Sequence, residues 1–222
     1  MLDVNTATPA ARRVTLDRIQ AAERAIAPVY LNTPQYVNEP LSDLVGARLT
    51  LKVETVNPIR SFKGRGATWL VENLTSRDRI MCASAGNFGQ AMAWACRAAG
   101  VPITIYASVN ANPLKIERMR GFGAEVILAG EDFDAAKAEG KRAAAASGIR
   151  FVEDSLDLEP TEGAGTMGLE LARYGEEIDA LIVPLGNGAM LAGVATAVRE
   201  LMPRTRIVAV QSSVAPAMIE SL

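Results

Sequence analysis

Apolar and polar positions follow two different periods along most of this chain. Some apolar runs are short and bounded by turn residues, which is typical of buried strands. They lie at residues 79–83, 102–106, 125–129, 150–152, 180–184 and 207–210.

Between these runs, apolar residues recur at helical spacing. The predicted helices lie at residues 88–99, 113–120, 133–146, 162–174 and 189–201. A strand that is joined through a helix to a parallel strand makes a right-handed crossover in nearly all proteins. The alternation therefore predicts an α/β fold whose sheets are mainly parallel and covered by helices on both faces.

The first third of the chain is less regular. Apolar positions from Thr15 onward predict a helix that Pro28 stops, and alternation over residues 49–53 predicts a half-buried strand. Ser61 is a good N-cap for the helix that follows it. The first dozen residues indicate a loose tail, and a last helix is predicted to begin near Pro216.

Composition narrows the class of protein. The 222 residues are 49% hydrophobic and 22% charged, which is ordinary for one large packed domain or two small ones. A net charge of −2 indicates no nucleic-acid partner, and no run approaches the roughly 18 apolar residues of a membrane helix. The first residues lack the pattern of a signal peptide. We therefore expect a cytoplasmic protein without a membrane partner.

Two residue types restrict the chemistry. The absence of histidine excludes Ser-His-Asp hydrolysis, Cys-His proteolysis and histidine-bound zinc within this chain. Proton transfer must then use a lysine, a carboxylate, a hydroxyl or the ligand itself. Cys82 and Cys96 lie among apolar neighbours at a spacing that is not typical of metal or redox motifs, so we expect buried, reduced thiols.

Parallel sheets bind ligands in the loops that follow the carboxyl ends of their strands. The first such loop has the sequence SAGNFGQ, at residues 84–90, and leads into a predicted helix. The unpaired N–H groups of a helix N-terminus suit a carboxylate or a phosphate, and Ser84 and Asn87 add polar side chains. A capped turn of small residues explains the same pattern, so the spacing alone leaves both interpretations open.

A second loop has the sequence PLGNGAM, at residues 184–190. Its small residues allow successive N–H groups to approach an anion closely. A dinucleotide site uses the same physics but requires Gly-x-Gly-x-x-Gly and an acidic residue at the end of the next strand. Here the third glycine is displaced to Gly193 and that strand ends at Gln211, which disfavours a nicotinamide cofactor.

Two further sequence features are candidates for the functional site. The run EGAGT at residues 162–166 is interpreted as a third glycine-rich loop that leads into a helix. Lys63 lies in the first turn of a predicted helix, where a cation is unfavourable. A solvated surface lysine explains this position, but an amine that desolvation keeps neutral would suit a carbonyl cofactor.

Three motifs, taken in order, resemble those of the fold-type II pyridoxal-phosphate enzymes. They are NPxxSFK, ASAGN and GNGAM, at residues 57–63, 83–87 and 186–190. Within that family the threonine and serine dehydratase branch is the most similar. It also shares the runs RGFGAEV and GAGTMGLE, at residues 120–126 and 163–170.

The resemblance implies a role for each motif. Lys63 would hold pyridoxal 5'-phosphate as a Schiff base and would act in catalysis together with Ser84. The cofactor would contact Phe62, Lys63, Asn87, Gly186, Asn187, Gly188, Ala189 and Met190. The carboxylate of a small amino-acid substrate would contact Ser84, Ala85, Gly86, Asn87, Phe88 and Gln90.

The resemblance also implies two parallel-sheet αβα domains of the tryptophan synthase beta-like architecture. Residues 1–78 and 153–222 would form the large cofactor-binding domain, and residues 79–152 a small domain that closes over the substrate. Family members continue beyond the length of this chain, so the large domain would be incomplete and partly uncovered. A homodimer, or a partner that supplies the missing C-terminal part, is expected to cover it.

Several positions depart from the family pattern. Asn187 and Ala189 stand where glycines are usual in the phosphate loop, and Phe88 stands where a histidine is common. The side chain of Asn187 must therefore contribute to the phosphate site or point away from it. Gln211 replaces a glutamate that binds a divalent cation in some members, so we predict no metal there.

The implied reaction is β-elimination, which converts a hydroxy amino acid such as threonine or serine to a 2-oxo acid and ammonia. Lys63 would remove the α-proton. β-Replacement, racemisation and threonine-synthase chemistry stay open because they use the same cofactor loops. A non-catalytic protein that keeps the fold is a further alternative.

Overall fold

The computed structural model describes residues 13–154 and 156–221, so the predicted tail and the chain start lie outside the described residues. The helices are α1 (Leu16–Ala25), α2 (Glu39–Val45), α3 (Lys63–Glu72), α4 (Asn87–Ala99), α5 (Pro113–Gly121), α6 (Phe133–Ser147), α7 (Glu159–Ala172), α8 (Ala189–Leu201) and α9 (Ala217–Glu220), with a 3-10 turn at Pro28–Tyr30. The strands are β1 (Gln35–Val37), β2 (Thr50–Lys52), β3 (Ile80–Ala83), β4 (Ile103–Ala107), β5 (Glu125–Leu128), β6 (Arg150–Val152), β7 (Ala180–Pro184) and β8 (Arg206–Val210).

The alternation of strands and helices that the sequence predicts is confirmed. The six predicted strands are β3 to β8, and their bounds differ from the prediction by at most one residue. The five helices predicted between and after them are α4 to α8; only α7 differs by more than one residue, beginning at Glu159. None of the helices in the described part of the chain has the length and apolar character that a bilayer crossing requires.

Strands β3 to β6 form a parallel sheet in the order β5-β4-β3-β6. Ile80 and Cys82 of β3 pack in the main core with residues of α4, whereas Met81 between them packs with Ala144 of α6. Because successive side chains of a strand point to opposite faces, helices cover both faces of this sheet. The predicted mainly parallel α/β fold is confirmed.

The remaining strands form two pairs. β7 and β8 are parallel, and within the described residues β7 pairs with β8 alone. β1 and β2 form an antiparallel ribbon in which Gln35 faces Lys52; β1 was not predicted. Helices α7 and α8 pack tightly together, and α7 also contacts α1 and α3. The proposed cofactor lysine is the first residue of α3, so this helix cluster sets its position.

One sequence interpretation is wrong: residues 162–166 are not a loop but lie inside α7. Their glycines allow close helix packing. A Cβ added to Gly163 would lie 2.5 Å from Cα of Gly66 on α3, and one added to Gly165 would lie 2.6 Å from Cδ1 of Ile19 on α1. The glycines therefore shape the helix interface, and this run does not form an anion-binding loop.

The predicted cap at Ser61 is also wrong in detail. Helix α3 begins at Lys63 with Phe62 as its N-cap residue, and Phe62 provides no side-chain cap. Oγ of Ser61 accepts a hydrogen bond from the backbone N of Lys63 at 3.3 Å. Ser61 therefore stabilises the turn before the helix rather than occupying the cap position.

Candidate active site

The turn that precedes α3 is held by the side chain of Asn57. Its Oδ1 accepts from the backbone N of Ile59 and of Ser61, each at 3.2 Å. Its Nδ2 donates to the carbonyl oxygens of Glu54 at 2.9 Å and Ser61 at 3.1 Å. A polar side chain that bonds its own backbone in this way fixes a turn. The start of α3, and with it Lys63, is therefore placed by the NPxxSFK motif.

The amine of Lys63 is paired with a carboxylate. Its Nζ lies 2.8 Å from Oδ1 and 2.6 Å from Oδ2 of Asp154, and 4.9 Å from the ring centre of Phe62. The Lys63 side chain is 14% exposed and that of Asp154 is 21% exposed. The contact of Lys63 with Asp154 has the geometry of an ion pair.

Asp154 also joins Lys63 to the second loop. Nδ2 of Asn187 donates to Oδ2 of Asp154 at 2.8 Å, and Oδ1 of Asn187 accepts from the backbone N of Ala189 at 3.4 Å. The side chain of Asn187 therefore points toward Asp154. Gly188 has φ +90°, a conformation that favours glycine, and it precedes α8 without a side-chain cap.

The first loop is organised by the hydroxyl of Ser84. Its Oγ accepts from the backbone N of Gly86 at 3.1 Å and of Gly89 at 2.9 Å. These bonds use the lone pairs of the oxygen, so the hydroxyl hydrogen stays available as a donor. Ala85 and Gly86 are half-buried at the mouth of the loop.

The start of α4 presents Asn87 and buries its neighbours. Asn87 is exposed, and its Oδ1 accepts from Nε2 of Gln90 at 3.5 Å. Gln90 is 1% exposed, and its Oε1 is buried without a hydrogen bond within the described residues. The side chain of Phe88 packs in the main core, so Phe88 can contact a substrate only through its backbone.

A cleft of about 400 Å³ opens beside these residues. Its walls come from β2 and the loop after it, α7, β7 and α8. Of the predicted site residues, Phe62, Asn87 and Met190 line it. Lys63 and Ser84 do not line it, and neither do residues 85, 86, 88, 90 and 186–189. The structure therefore brings Ser61 and Phe62 of the lysine motif, one residue of the first loop and one of the second to a single cavity, and Lys63 follows Phe62 directly.

A buried cluster of charges supports the β2 side of the cleft. Arg65 is fully buried and donates to Glu54 at 2.9 Å and to Glu170 at 2.6 Å, and Lys52 forms an ion pair with Glu170. Burial opposes the ionisation of Glu170, but the bonds from Arg65 and Lys52 outweigh it and hold the pKa of Glu170 below its usual value. Because Lys52 and Glu54 also line the cleft, the cluster fixes its wall.

Comparison with known proteins identifies the family. The family model described as pyridoxal-phosphate dependent enzyme matches residues 26–222. The chain belongs to this family. It is 34% identical over 212 residues to an L-threonine ammonia-lyase of Thermotoga maritima, an alignment that covers 94% of this chain and 53% of that protein. It is also 34% identical to the biosynthetic L-threonine dehydratase of Mycobacterium tuberculosis, covering 92% of this chain and 49% of that one.

Solved structures of the pyridoxal-phosphate family agree in fold. Maize serine racemase superposes with a TM-score of 0.88 at 29% identity and covers 94% of this chain and 64% of that one. The processed form of threonine deaminase isoform 2 from Solanum lycopersicum gives a TM-score of 0.83 at 30% identity, with coverages of 93% and 62%. The chain spans about half the length of the curated relatives that it matches.

The residues present fit pyridoxal 5'-phosphate. A Cβ added to Gly186 would meet nothing within 4 Å, so the second loop has open space beside its backbone, and the N-terminus of α8 suits a phosphate. The Nδ2 of Asn87 makes no hydrogen bond within the described residues, and Phe62 offers an apolar ring on the cleft wall. The donors and the apolar surface that this cofactor requires are therefore both present.

Sequence reasoning missed Asp154. The residue comes just after β6, which pairs with β3 in the parallel sheet, so its loop lies at the same edge as the loop of Ser84. Searching every loop at that edge for charged residues would have found it. In the described part of the chain, no three Cys, Asp or Glu side chains are grouped so as to hold a metal ion; the absence of a metal stays a prediction.

Proposed function

We propose that this chain is the cofactor-bearing part of a pyridoxal-phosphate-dependent lyase that deaminates a hydroxy amino acid, threonine or serine, to a 2-oxo acid and ammonia. One observation carries the proposal: the amine of Lys63 lies at the start of α3, beside the ring of Phe62 and linked through Asp154 to the second loop. The names of the relatives support the same substrate class.

Each residue has a defined task in this proposal. Lys63 would hold the cofactor covalently, and its Nζ would take the α-proton of the substrate. The bound cofactor supplies a ring that accepts the electrons of the broken C–H bond. Asn87 would donate to the ring hydroxyl, and the backbone of Gly186 to Met190 would hold the phosphate.

The first loop would receive the substrate. The N–H groups at the start of α4 would bind its carboxylate, and the hydroxyl of Ser84, ordered by two backbone donors, would donate toward the reacting centre. Racemisation is the second candidate, because maize serine racemase has the same fold at 29% identity and a second proton-transferring group would make racemisation possible.

Architecture and assembly are part of the proposal. Residues 79–152 would close over the substrate against a large domain made of residues 1–78 and 153–222. Several apolar side chains of the β7–β8 region are exposed, among them Ile182, Val210, Val214 and Ile219. We propose that a C-terminal portion of the protein, a partner chain or a second copy covers this face, and that the protein acts in the cytoplasm.

The test begins with cofactor capture. The chain is purified with pyridoxal 5'-phosphate, freed of excess cofactor, and its visible absorption spectrum is compared with that of Lys63→Ala. We expect a protein-bound yellow band in the parent that the variant lacks. A parent without this band would contradict the proposal that Lys63 holds the cofactor.

A second measurement distinguishes deamination from racemisation and from the non-catalytic alternative. The cofactor-loaded chain is supplied with L-threonine or L-serine, and release of 2-oxobutanoate or pyruvate is followed. Conversion of L-serine to D-serine without pyruvate would favour racemisation. A stable yellow band with neither product would favour the non-catalytic alternative.

A further inference from the structure

Asp154 has no role in the assignments above, yet it contacts the amine on which they depend. Both of its oxygens lie within 2.8 Å of Nζ of Lys63, and Asn187 donates to one of them. Its side chain is 21% exposed. The site therefore contains a fixed negative charge beside the reacting atom.

We infer that Asp154 selects the side chain of the substrate, by accepting a hydrogen bond from its β substituent and by repelling an acidic one. This inference rests on the proposed function, which brings the substrate α-carbon to Nζ of Lys63. It adds a rule of specificity: the site favours a hydroxyl or an ammonium group on the β-carbon and rejects a carboxylate.

Distances allow this contact. Reacting atoms approach to about 3–3.5 Å before a proton moves, and Asp154 lies 2.6 Å from Nζ of Lys63. The carboxylate is therefore at most about 6 Å from the α-carbon. A β heteroatom lies about 2.5 Å from that carbon, two bonds away, and a hydrogen bond spans about 2.7 Å more. The two lengths together span about 5.2 Å, so the contact forms when the carboxylate lies within that distance of the α-carbon, which the limit of about 6 Å allows.

A substrate group that contacts Asp154 stabilises the complex because this carboxylate needs a hydrogen-bond donor. An ionised carboxylate only accepts hydrogen bonds, and Asp154 draws its donors from Lys63 and Asn187. When the amine of Lys63 turns to the substrate, Asp154 keeps only the hydrogen bond from Asn187, and a partly buried carboxylate with an unpaired oxygen is costly. A β-hydroxyl or β-ammonium group restores a donor, a methyl group does not, and a carboxylate adds like-charge repulsion.

The experiment measures binding rather than turnover. The 222-residue chain is loaded with pyridoxal 5'-phosphate, and dissociation constants for 2,3-diaminopropionate, serine, alanine and aspartate are obtained by stopped flow, from the rapid change in its visible spectrum that precedes turnover. We expect affinity to decrease in that order. In Asp154→Asn, affinity for diaminopropionate relative to alanine should fall at least tenfold, and affinity for aspartate relative to alanine should rise at least threefold.

Glu153→Gln is the matched control. Glu153 is the adjacent carboxylate, but its ion pairs are with Lys137 and Lys141 rather than with Lys63. Removing its charge should leave the ratios of the four affinities within twofold of those of the parent. A shift in Glu153→Gln equal to that in Asp154→Asn would show a general charge effect and would overturn the inference.

Other outcomes are equally decisive. Aspartate that binds the parent as tightly as serine overturns the inference even where Asp154→Asn fails to fold. A uniform change for all four amino acids would assign Asp154 to the placement of Lys63 alone and would also overturn it. Failure of the parent to form a Lys63-dependent yellow band is the distinct result that refutes the proposed function, and the inference falls with it.

Discussion

Nη1 of Arg65 lies 2.6 Å from Oε1 of Glu170, and these side chains are 0% and 4% exposed. Arg65 is on α3, two residues after Lys63, which we propose to be the cofactor lysine, whereas Glu170 is near the end of α7. Oε1 of Glu170 also accepts from the backbone N of Asn32. One buried carboxylate thus ties together α3, α7 and the segment before β1.

Replacing Arg65 by Met should destabilise the fold strongly. The variant leaves Glu54 and Glu170 without their main donor, and breaking one side of a buried ion pair typically costs about 3–5 kcal/mol. Urea unfolding at neutral pH measures the change. Arg204→Met is the control, because Arg204 and its partner Glu177 are 86% and 81% exposed. Exposed ion pairs of this kind contribute no more than about 1 kcal/mol to stability. Equal losses in the two variants would contradict this account.

Stability should fall in acid in a way that depends on Glu170. Its pKa in the folded chain is held below the usual 4.5, so the unfolded chain binds a proton more readily. The contribution of Glu170 to the free energy of unfolding is fully present above pH 4.5 and is lost as the pH falls through its lowered pKa. We expect urea unfolding between neutral pH and about pH 3 to show a smaller decrease in the free energy of unfolding for Glu170→Gln than for the parent. Parallel curves would refute the assignment.

The two thiols should not react while the chain is folded. Cys82 and Cys96 are both 0% exposed, and burial raises the pKa of both, to about 12 for Cys96. Because thiolate is the reactive form, a chromogenic disulfide reagent at pH 8 should detect almost no thiol in the native chain and both after denaturation. Fast reaction of either cysteine in the native state would contradict the predicted burial.

Elements that depend on local pattern could be predicted from the sequence. The bounds of α8 (Ala189–Leu201) and of β7 (Ala180–Pro184) match the prediction residue for residue, because each is a periodic segment bounded by small or breaking residues. The two loops were found because they follow β3 and β7, at the ends of parallel strands where such sheets bind ligands. The role of Lys63 came instead from the resemblance of its motif to a known family.

Features that depend on distant contacts could not be predicted. Asp154 meets Lys63 across 91 positions, and no local pattern marks that pair. The glycines after Glu162 indicate a loop when only neighbours in sequence are considered, but Gly163 contacts Gly66 of another helix. The full burial of Glu162, which accepts hydrogen bonds from Arg18 and Trp69, likewise follows from packing and not from its local sequence.

The contact of α7 with α8 leads to a prediction that connects packing to the cofactor. A Cβ added to Gly193 on α8 would lie 2.0 Å from the carbonyl oxygen of Thr161 on α7, so Gly193→Ala must displace backbone. Overpacking of this kind costs about 1–3 kcal/mol. Gly121→Ala is the control, because a Cβ there meets nothing within 4 Å; it should change stability by no more than about 1 kcal/mol.

The same displacement of backbone should weaken the binding of the cofactor. Helix α8 starts at Ala189, within the proposed phosphate loop of Gly186 to Met190, so any shift of α8 moves the N–H groups that would hold the phosphate. Titration with pyridoxal 5'-phosphate should show at least a tenfold weaker affinity in folded Gly193→Ala and no change in Gly121→Ala. If Gly193→Ala loses stability but keeps its affinity, the phosphate site does not depend on the position of α8, and the assignment of Gly186 to Met190 must be abandoned.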